Sequence, residues 1–215
     1  SDVYKRQTCV RILRRYIDFL DYSRNFTIYD SDDQKTLMKD ICRSLNIDTK
    51  KFREKSFLNE ISRAKDELKT PEMFAEEVSK EYNRKIYGTV YKEYQRRLKK
   101  NNALDFDDLI MLTVQLFREN PEVLAYYQER FQFIMVDEYQ DTNKSQFTLI
   151  TMLASRHGNV TAVGDNDQGI YSFRGADISN ILNFEKDFPG TKIIKLEQNY
   201  RCTGNILKAA NAVIK

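Results

Sequence analysis

The sequence predicts an α/β fold in which a parallel sheet with covering helices follows a mostly helical stretch. In the second half of the chain, segments of helical periodicity alternate with short apolar runs. These runs lie at residues 131–136, 159–163 and 192–196. Apolar strands that alternate with helices favour a parallel sheet, because each crossover helix covers one of its faces.

The helical stretch covers residues 8–100, where apolar residues recur every three to four positions. Pro71 and Gly88 are its only proline and glycine. One helical face near its end carries Tyr87, Tyr91, Tyr94 and Leu98. We expect this aromatic stripe to pack in a core rather than to bind a ligand.

Charge is distributed unevenly along the chain. Residues 1–102 hold 24 Lys or Arg and 17 Asp or Glu, a net charge of +7, whereas residues 103–215 hold 11 and 15, a net charge of −4. The basic half could meet nucleic-acid phosphate, although a solvated helical face has the same composition.

The cysteines and the apolar runs favour a reducing, aqueous compartment. Cys9, Cys42 and Cys202 are scattered without the spacing of a zinc site or a disulfide framework. The aliphatic run at 109–112 is far too short to span a bilayer. We therefore expect a cytoplasmic protein that does not contact membranes.

Acidic clusters follow the first two apolar runs. Asp137 and Glu138 end the first, and Asp165 and Asp167 follow the second. The helix after the first run is expected to begin at an Asp141-Thr142 cap and to reach Leu153, and a second helix is expected at 178–188. Because the carboxyl ends of parallel strands share one sheet edge, we expect the clusters to meet there.

An acidic pair after a buried strand suits nucleotide hydrolysis. One carboxylate, Asp137, can hold Mg²⁺ through water, while the next, Glu138, polarises the attacking water. Many α/β proteins place carboxylates at this position, so the pair alone is a weak signal.

Further motifs make the signal specific. In order, they are LDFDDL at 104–109, VDEYQDT at 136–142, VGDNDQ at 163–168, YSFRGAD at 171–177 and LEQNYR at 196–201. Together they resemble the UvrD-like branch of superfamily 1 DNA helicases, which includes PcrA and Rep, and the resemblance extends from about Thr8 to the last residue.

The resemblance implies a RecA-like P-loop ATPase motor that uses ATP and Mg²⁺. Asp137 would sit on the magnesium ion, Glu138 would be the catalytic base and Gln168 would sense the γ-phosphate. Tyr200 would stack on adenine, and Arg201 would reach the γ-phosphate from a second motor domain.

The resemblance also assigns a contact with single-stranded DNA and single/double-strand junctions to Phe106, Tyr171, Phe173 and Arg174. Tyr171 and Phe173 lie two residues apart in a glycine-flanked loop, where an exposed aromatic pair beside Arg174 would form a stacking platform for bases. Packing between subdomains is the alternative for Phe106.

The family pattern divides the chain into four segments. Residues 1–22 would end the first segment of motor domain 1. Residues 1–7 match nothing expected there, which leaves a foreign origin open for them. Residues 23–100 would be a helical insert, 101–190 the remainder of motor domain 1 and 191–215 the start of motor domain 2.

The motor is expected to be incomplete in this chain. None of the seven glycines precedes a lysine, so the sequence contains no P-loop to grip the β- and γ-phosphates. The chain also starts without Met and stops at Lys215 within a helical pattern. We expect an internal fragment that does not hydrolyse ATP alone.

Two other functions remain open from the sequence. The chain could be a non-enzymatic module that binds single-stranded DNA or regulates another protein. It could also be a metal-dependent nuclease that uses Asp137, Glu138, Asp165 and Asp167, but that reading does not explain the LEQNYR motif. The family resemblance implies three-prime to five-prime movement, whereas the pathway and the protein partners stay unassigned.

Overall fold

A computed structural model describes residues 2–81, 84–165, 179–198, 200 and 202–214. Its helices are α1 Asp2–Tyr16, α2 Ser31–Ser44, α3 Glu54–Asp66, α4 Pro71–Glu77, α5 Lys85–Lys100, α6 Phe106–Glu119, α7 Pro121–Arg130, α8 Lys144–Ala154, α9 Ser179–Leu182, α10 Phe184–Asp187 and α11 Gly204–Ile214. Its strands are β1 Thr27–Ile28, β2 Ala103–Leu104, β3 Ile134–Val136 and β4 Val160–Ala162.

The strands form two short parallel sheets, which confirms the α/β class. In one sheet β1 pairs with β2, with Thr27 opposite Ala103. In the other β3 pairs with β4, with Ile134 opposite Val160 and Val136 opposite Ala162. Helix α8 connects β3 to β4, as expected for a parallel pair joined by a crossover helix.

The prediction of a third strand at residues 192–196 is wrong. These residues carry no strand in the structure, and the side chains of Ile193, Ile194 and Leu196 are exposed. A strand is stable only when a neighbouring strand satisfies its backbone groups, and an apolar run does not supply that neighbour.

Both expected helices of the second half also differ from the structure. Thr142 does not cap α8, because its buried hydroxyl donates to the Tyr139 carbonyl at 2.7 Å. Asn143 caps α8 instead, and its Oδ1 accepts from the Gln146 amide at 2.9 Å. The helix expected at 178–188 is divided into α9 and α10 at Asn183, and residue 178 lies outside the described part.

The expected aromatic stripe of α5 lies in a core, as predicted. Tyr91, Tyr94 and Leu98 are fully buried among helices α2 to α5. Tyr87 is half-buried, and its ring centroid lies 4.7 Å from that of Phe57. Helices α2 to α5 therefore form a packed cluster, which we call the helical cluster.

A second core joins α1, α6, α7 and α8. Its buried side chains include Ile12 and Leu13 of α1, Leu109 and Phe117 of α6 and Leu149 of α8. A smaller core around Val136, Tyr139 and Ile150 packs the β3–β4 sheet against α8. Among the described residues, no helix combines the length and the apolar character that crossing a bilayer requires.

Candidate nucleotide-hydrolysis site

The acidic pair lies where β3 ends. Val136 is buried, Asp137 and Glu138 are exposed, and the next residue, Tyr139, is fully buried. The Tyr139 amide donates to the Val163 carbonyl at 2.9 Å, and the Val163 amide donates to the Val136 carbonyl at 2.8 Å. These bonds hold the carboxyl ends of β3 and β4 together, so Asp137, Glu138 and Asp165 follow strands that end at one sheet edge, while Asp167 lies outside the described residues.

The backbone at Glu138 is left-handed, with φ 51° and ψ 49°. For a residue with a Cβ this conformation costs about 1–2 kcal/mol, which the surrounding bonds must offset. The Glu138 amide donates to Asp137 Oδ1 at 3.0 Å. The turn leaves both carboxylates exposed while the chain continues into the buried 3-10 turn Tyr139–Asp141.

The donor set fits a magnesium ion bound with phosphates rather than a closed metal cage. Over the described ranges, which omit 166–178, no three His, Cys, Asp or Glu residues group as metal ligands. Mg²⁺ usually takes one or two carboxylates, keeps several waters and completes its shell with substrate phosphates. Asp137 is an exposed carboxylate of this kind.

The nuclease hypothesis gains no support from this geometry. Asp137, Glu138 and Asp165 do not form a three-carboxylate metal group, and the fourth expected ligand, Asp167, lies outside the described residues.

The sequence analysis missed Gln140 as a functional residue. Gln140 is 2% exposed, and its Nε2 donates to Glu138 Oε2 at 2.7 Å. Its Oε1 accepts from the Asp165 amide at 3.1 Å. In the sequence, Gln140 is only a polar residue inside a motif. Its second partner, the Asp165 amide, lies 25 residues away, so no local pattern indicates the contact.

Among the other expected nucleotide contacts, only Tyr200 is described. Its side chain is 92% exposed, so the ring is accessible for stacking. Gln168 and Arg201 lie outside the described residues.

The expected DNA contact is likewise described only in part. Phe106 begins α6 and is 37% exposed, and the Arg6 guanidinium lies 5.5 Å from its ring centroid. Tyr171, Phe173 and Arg174 lie outside the described residues. The Phe106 side chain is partly buried and partly exposed, so its exposure is compatible with both base stacking and packing between subdomains.

The start of α6 is fixed by buried charges that the sequence did not reveal. Asp105 caps the helix and, with Asp108, forms a capping box. Tyr94 of the helical cluster donates its hydroxyl to Asp105 Oδ2 at 3.1 Å, and Gln95 donates to Asp108 Oδ1 at 3.1 Å. These contacts tie Phe106 to the helical cluster.

Comparison with known proteins connects these features to one family. The sequence model of the UvrD/REP helicase N-terminal domain matches residues 6–189. Proteins named ATP-dependent DNA helicase PcrA from Staphylococcus epidermidis and Staphylococcus aureus are each 57% identical over 207 residues, which is 96% of this chain. The chain spans only 28% of the length of these relatives. By the extent of the family match and the fold around its acidic pair, the chain belongs to the UvrD/REP helicase family.

Proposed function

We propose that the protein containing this chain is an ATP-dependent DNA helicase that moves on single-stranded DNA, three-prime to five-prime, and unwinds duplex at single/double-strand junctions. The observation that carries the proposal is the acidic pair Asp137–Glu138 at the joined carboxyl ends of β3 and β4. Family membership and the names of the relatives, ATP-dependent DNA helicase PcrA, support it.

In this proposal Glu138 accepts the proton of the attacking water, and Asp137 holds Mg²⁺ through water. Bound Mg²⁺ would neutralise charge on the phosphates. Gln168 senses the γ-phosphate, Tyr200 stacks on adenine and Arg201 approaches the γ-phosphate. The exposure of Asp137, Glu138 and Tyr200 supports these roles, since each needs an accessible side chain.

The domain arrangement is part of the same proposal. Residues 8–22 and 101–190 would form a RecA-like core, 23–100 a helical insert, and 191–215 the start of a second motor domain. The helical cluster of α2 to α5 supports the insert, because its buried side chains form a core of their own. A location in the bacterial cytoplasm remains a prediction.

The proposed DNA contact combines aromatic stacking on bases with neutralisation of the DNA phosphates. Phe106, Tyr171 and Phe173 would stack on bases, and Arg174 would lie beside them. Stacking contributes about 1–3 kcal/mol per base and tolerates any sequence, which suits a motor that steps along any strand. The excess of basic residues before residue 103 would face phosphates.

A chimaera tests the function, because this chain contains no P-loop and is not expected to hydrolyse ATP alone. Residues 8–215 would replace the matching segment of the Staphylococcus epidermidis relative. Glu138→Gln in the chimaera should lower DNA-stimulated ATP hydrolysis by about 100-fold or more, since a positioned base contributes about 10²–10⁴-fold. Affinities for ATP and single-stranded DNA should stay within about twofold.

The matched control is Glu122→Gln, which changes an exposed glutamate of α7. Its hydrolysis rate should equal that of the unmodified chimaera. Undiminished turnover in Glu138→Gln would overturn the assignment of the base. A chimaera that binds single-stranded DNA but never hydrolyses ATP would favour the non-enzymatic binding module instead.

A further inference from the structure

Gln140 bridges the ends of the two strands. Its side chain is buried beneath the acidic pair, 2.7 Å from Glu138 Oε2 and 3.1 Å from the Asp165 amide nitrogen. Glu138 follows β3 and Asp165 follows β4, so one carboxamide contacts both loops.

The chemistry of the two partners fixes the orientation of this carboxamide. An ionised carboxylate only accepts hydrogen bonds, and a backbone N–H only donates them. The Gln140 NH₂ group must therefore face Glu138, and its carbonyl oxygen must face Asp165. A flipped amide would lose both bonds.

Gly164 makes this close approach possible. A Cβ atom at position 164 would lie 2.7 Å from Gln140 Oε1 and 2.8 Å from Ile181 Cδ1. Both distances are shorter than van der Waals contact, so any larger residue at 164 would displace the Gln140 carboxamide.

We propose that Gln140 is a positioning residue for hydrolysis: it fixes the Glu138 carboxylate and ties that carboxylate to the backbone that follows β4. The inference rests on the proposed role of Glu138 as the base. Because the left-handed turn leaves Glu138 exposed, the hydrogen bond from its buried neighbour Gln140 restricts the carboxylate. Any movement of the Gly164–Asp165 backbone is then transmitted to Glu138 through one side chain.

Two substitutions separate the two bonds of Gln140. Gln140→Met keeps the length of the side chain but removes both bonds. Gln140→Glu keeps an acceptor for the Asp165 amide but replaces the donor facing Glu138 with a second negative charge. Hydrogen exchange of the Asp165 amide in the 215-residue chain, followed by NMR, should accelerate about fivefold or more in Gln140→Met and stay near wild type in Gln140→Glu.

Turnover in the chimaera reports on positioning. Both variants should lower kcat by about 10- to 100-fold. A catalytic group that is displaced by about 1 Å can lower the rate by up to about 100-fold. The KM for ATP should stay within about twofold. Because a loss of folded protein would also lower the apparent kcat at an unchanged KM, kcat is calculated per mole of chimaera that binds ATP. Gly164→Ala, which leaves Gln140 in place but displaces its carboxamide, should lower kcat in the same direction.

The matched control is Gln115→Met on the exposed face of α6. Gln115 also donates to a glutamate, Glu119 Oε1 at 2.8 Å, but far from the site. This variant should change neither the exchange rate nor kcat.

The results separate this inference from the proposed function. Unchanged Asp165 exchange in Gln140→Met, or wild-type kcat in both Gln140 variants, would overturn the positioning role. If the Asp165 exchange changes as expected but Glu138→Gln retains full turnover, the bridge stands and the proposed base is wrong, so the positioning of hydrolysis falls with it.

Discussion

Lys65 and Asp105 form a fully buried ion pair, with the Lys65 Nζ atom 2.6 Å from Asp105 Oδ2. Lys65 belongs to α3 of the helical cluster, and Asp105 caps α6. The same ammonium lies 2.8 Å from Asp108 Oδ1. One cation therefore holds the first turn of α6, where the proposed DNA-contacting residue Phe106 lies, against the helical cluster.

Lys65→Ala should destabilise the chain by about 3–5 kcal/mol. The substitution leaves Asp105 and Asp108 buried without their counter-charge, and removing one partner of a buried pair costs that much. Urea unfolding of the 215-residue chain at neutral pH, monitored by circular dichroism, measures the change in the free energy of unfolding.

An exposed lysine provides the control for this prediction. Lys35 pairs with Asp32 at 2.9 Å on the solvent-facing side of α2. Lys35→Ala removes the same charge but leaves no buried carboxylate, so unfolding should hardly change. Equal unfolding midpoints for the two variants would contradict the proposed importance of the buried pair.

Asp108 should make stability depend on pH near neutrality. Burial and the adjacent Asp105 carboxylate raise the pKa of Asp108 to about 7, although Lys65 opposes the shift. The folded chain then holds a proton that the unfolded chain releases near its ordinary pKa of 3.8. The stability that this bound proton contributes is complete below pH 3.8 and is lost as the pH rises to about 7.

Asp108→Asn tests the pH dependence, because asparagine stays neutral at every pH. The difference in unfolding free energy, wild type minus variant, should fall as the pH rises from 4 to 7 and level off above it. The carboxyl groups that do not contact Asp108 titrate in both proteins and largely cancel in this difference. A difference that is flat or rises over that range would contradict the expected direction.

The local parts of the site could be predicted from the sequence, but its distant contacts could not. An apolar run followed by Asp137 and Glu138 is a local pattern. The helical spacing that predicts the burial of Tyr91 and Tyr94 is local as well. The partner of Gln140 lies 25 residues away, and Lys65 lies 40 residues from Asp105. No periodicity encodes which distant groups will pair.

Two of the errors in the second half arose from contacts that composition does not specify. The run at 192–196 has the composition of a strand, but strand formation depends on a neighbour that composition does not specify. Thr142 has the chemistry of a helix cap, but its hydroxyl bonds to the Tyr139 carbonyl in the preceding 3-10 turn. Among the described residues no strand pairs with 192–196, and a local hydrogen bond occupies the Thr142 hydroxyl.

The left-handed turn at Glu138 predicts an unusual preference for glycine. Glu138→Gly should be more stable than Glu138→Ala by about 1 kcal/mol, because glycine adopts φ 51° without a Cβ clash. The neighbouring pair, Asp137→Gly and Asp137→Ala, is the control, since the backbone at Asp137 has no positive φ and alanine should be the more stable there. Thermal unfolding of the four variants decides the signs, and the same order at both positions would contradict the strained turn.

The packing of α4 against α5 depends on Gly88. A Cβ atom there would lie 2.8 Å from the Cα of Ala75 and 2.9 Å from its Cβ. Because one clash involves backbone, a rotamer change cannot relieve it, and Gly88→Ala should destabilise the chain by about 1–3 kcal/mol. This net loss already includes the gain of about 1 kcal/mol in helix propensity that alanine brings.

Gly204→Ala is the matched control, because a Cβ atom at the start of α11 would meet nothing within 4 Å. Its unfolding free energy should be unchanged or slightly higher. Ala75→Gly combined with Gly88→Ala should recover part of the lost stability, since it removes the Ala75 Cβ from the contact. If Gly88→Ala instead stabilises the chain as Gly204→Ala does, helix propensity rather than the close approach of α4 and α5 determines the stability at this position.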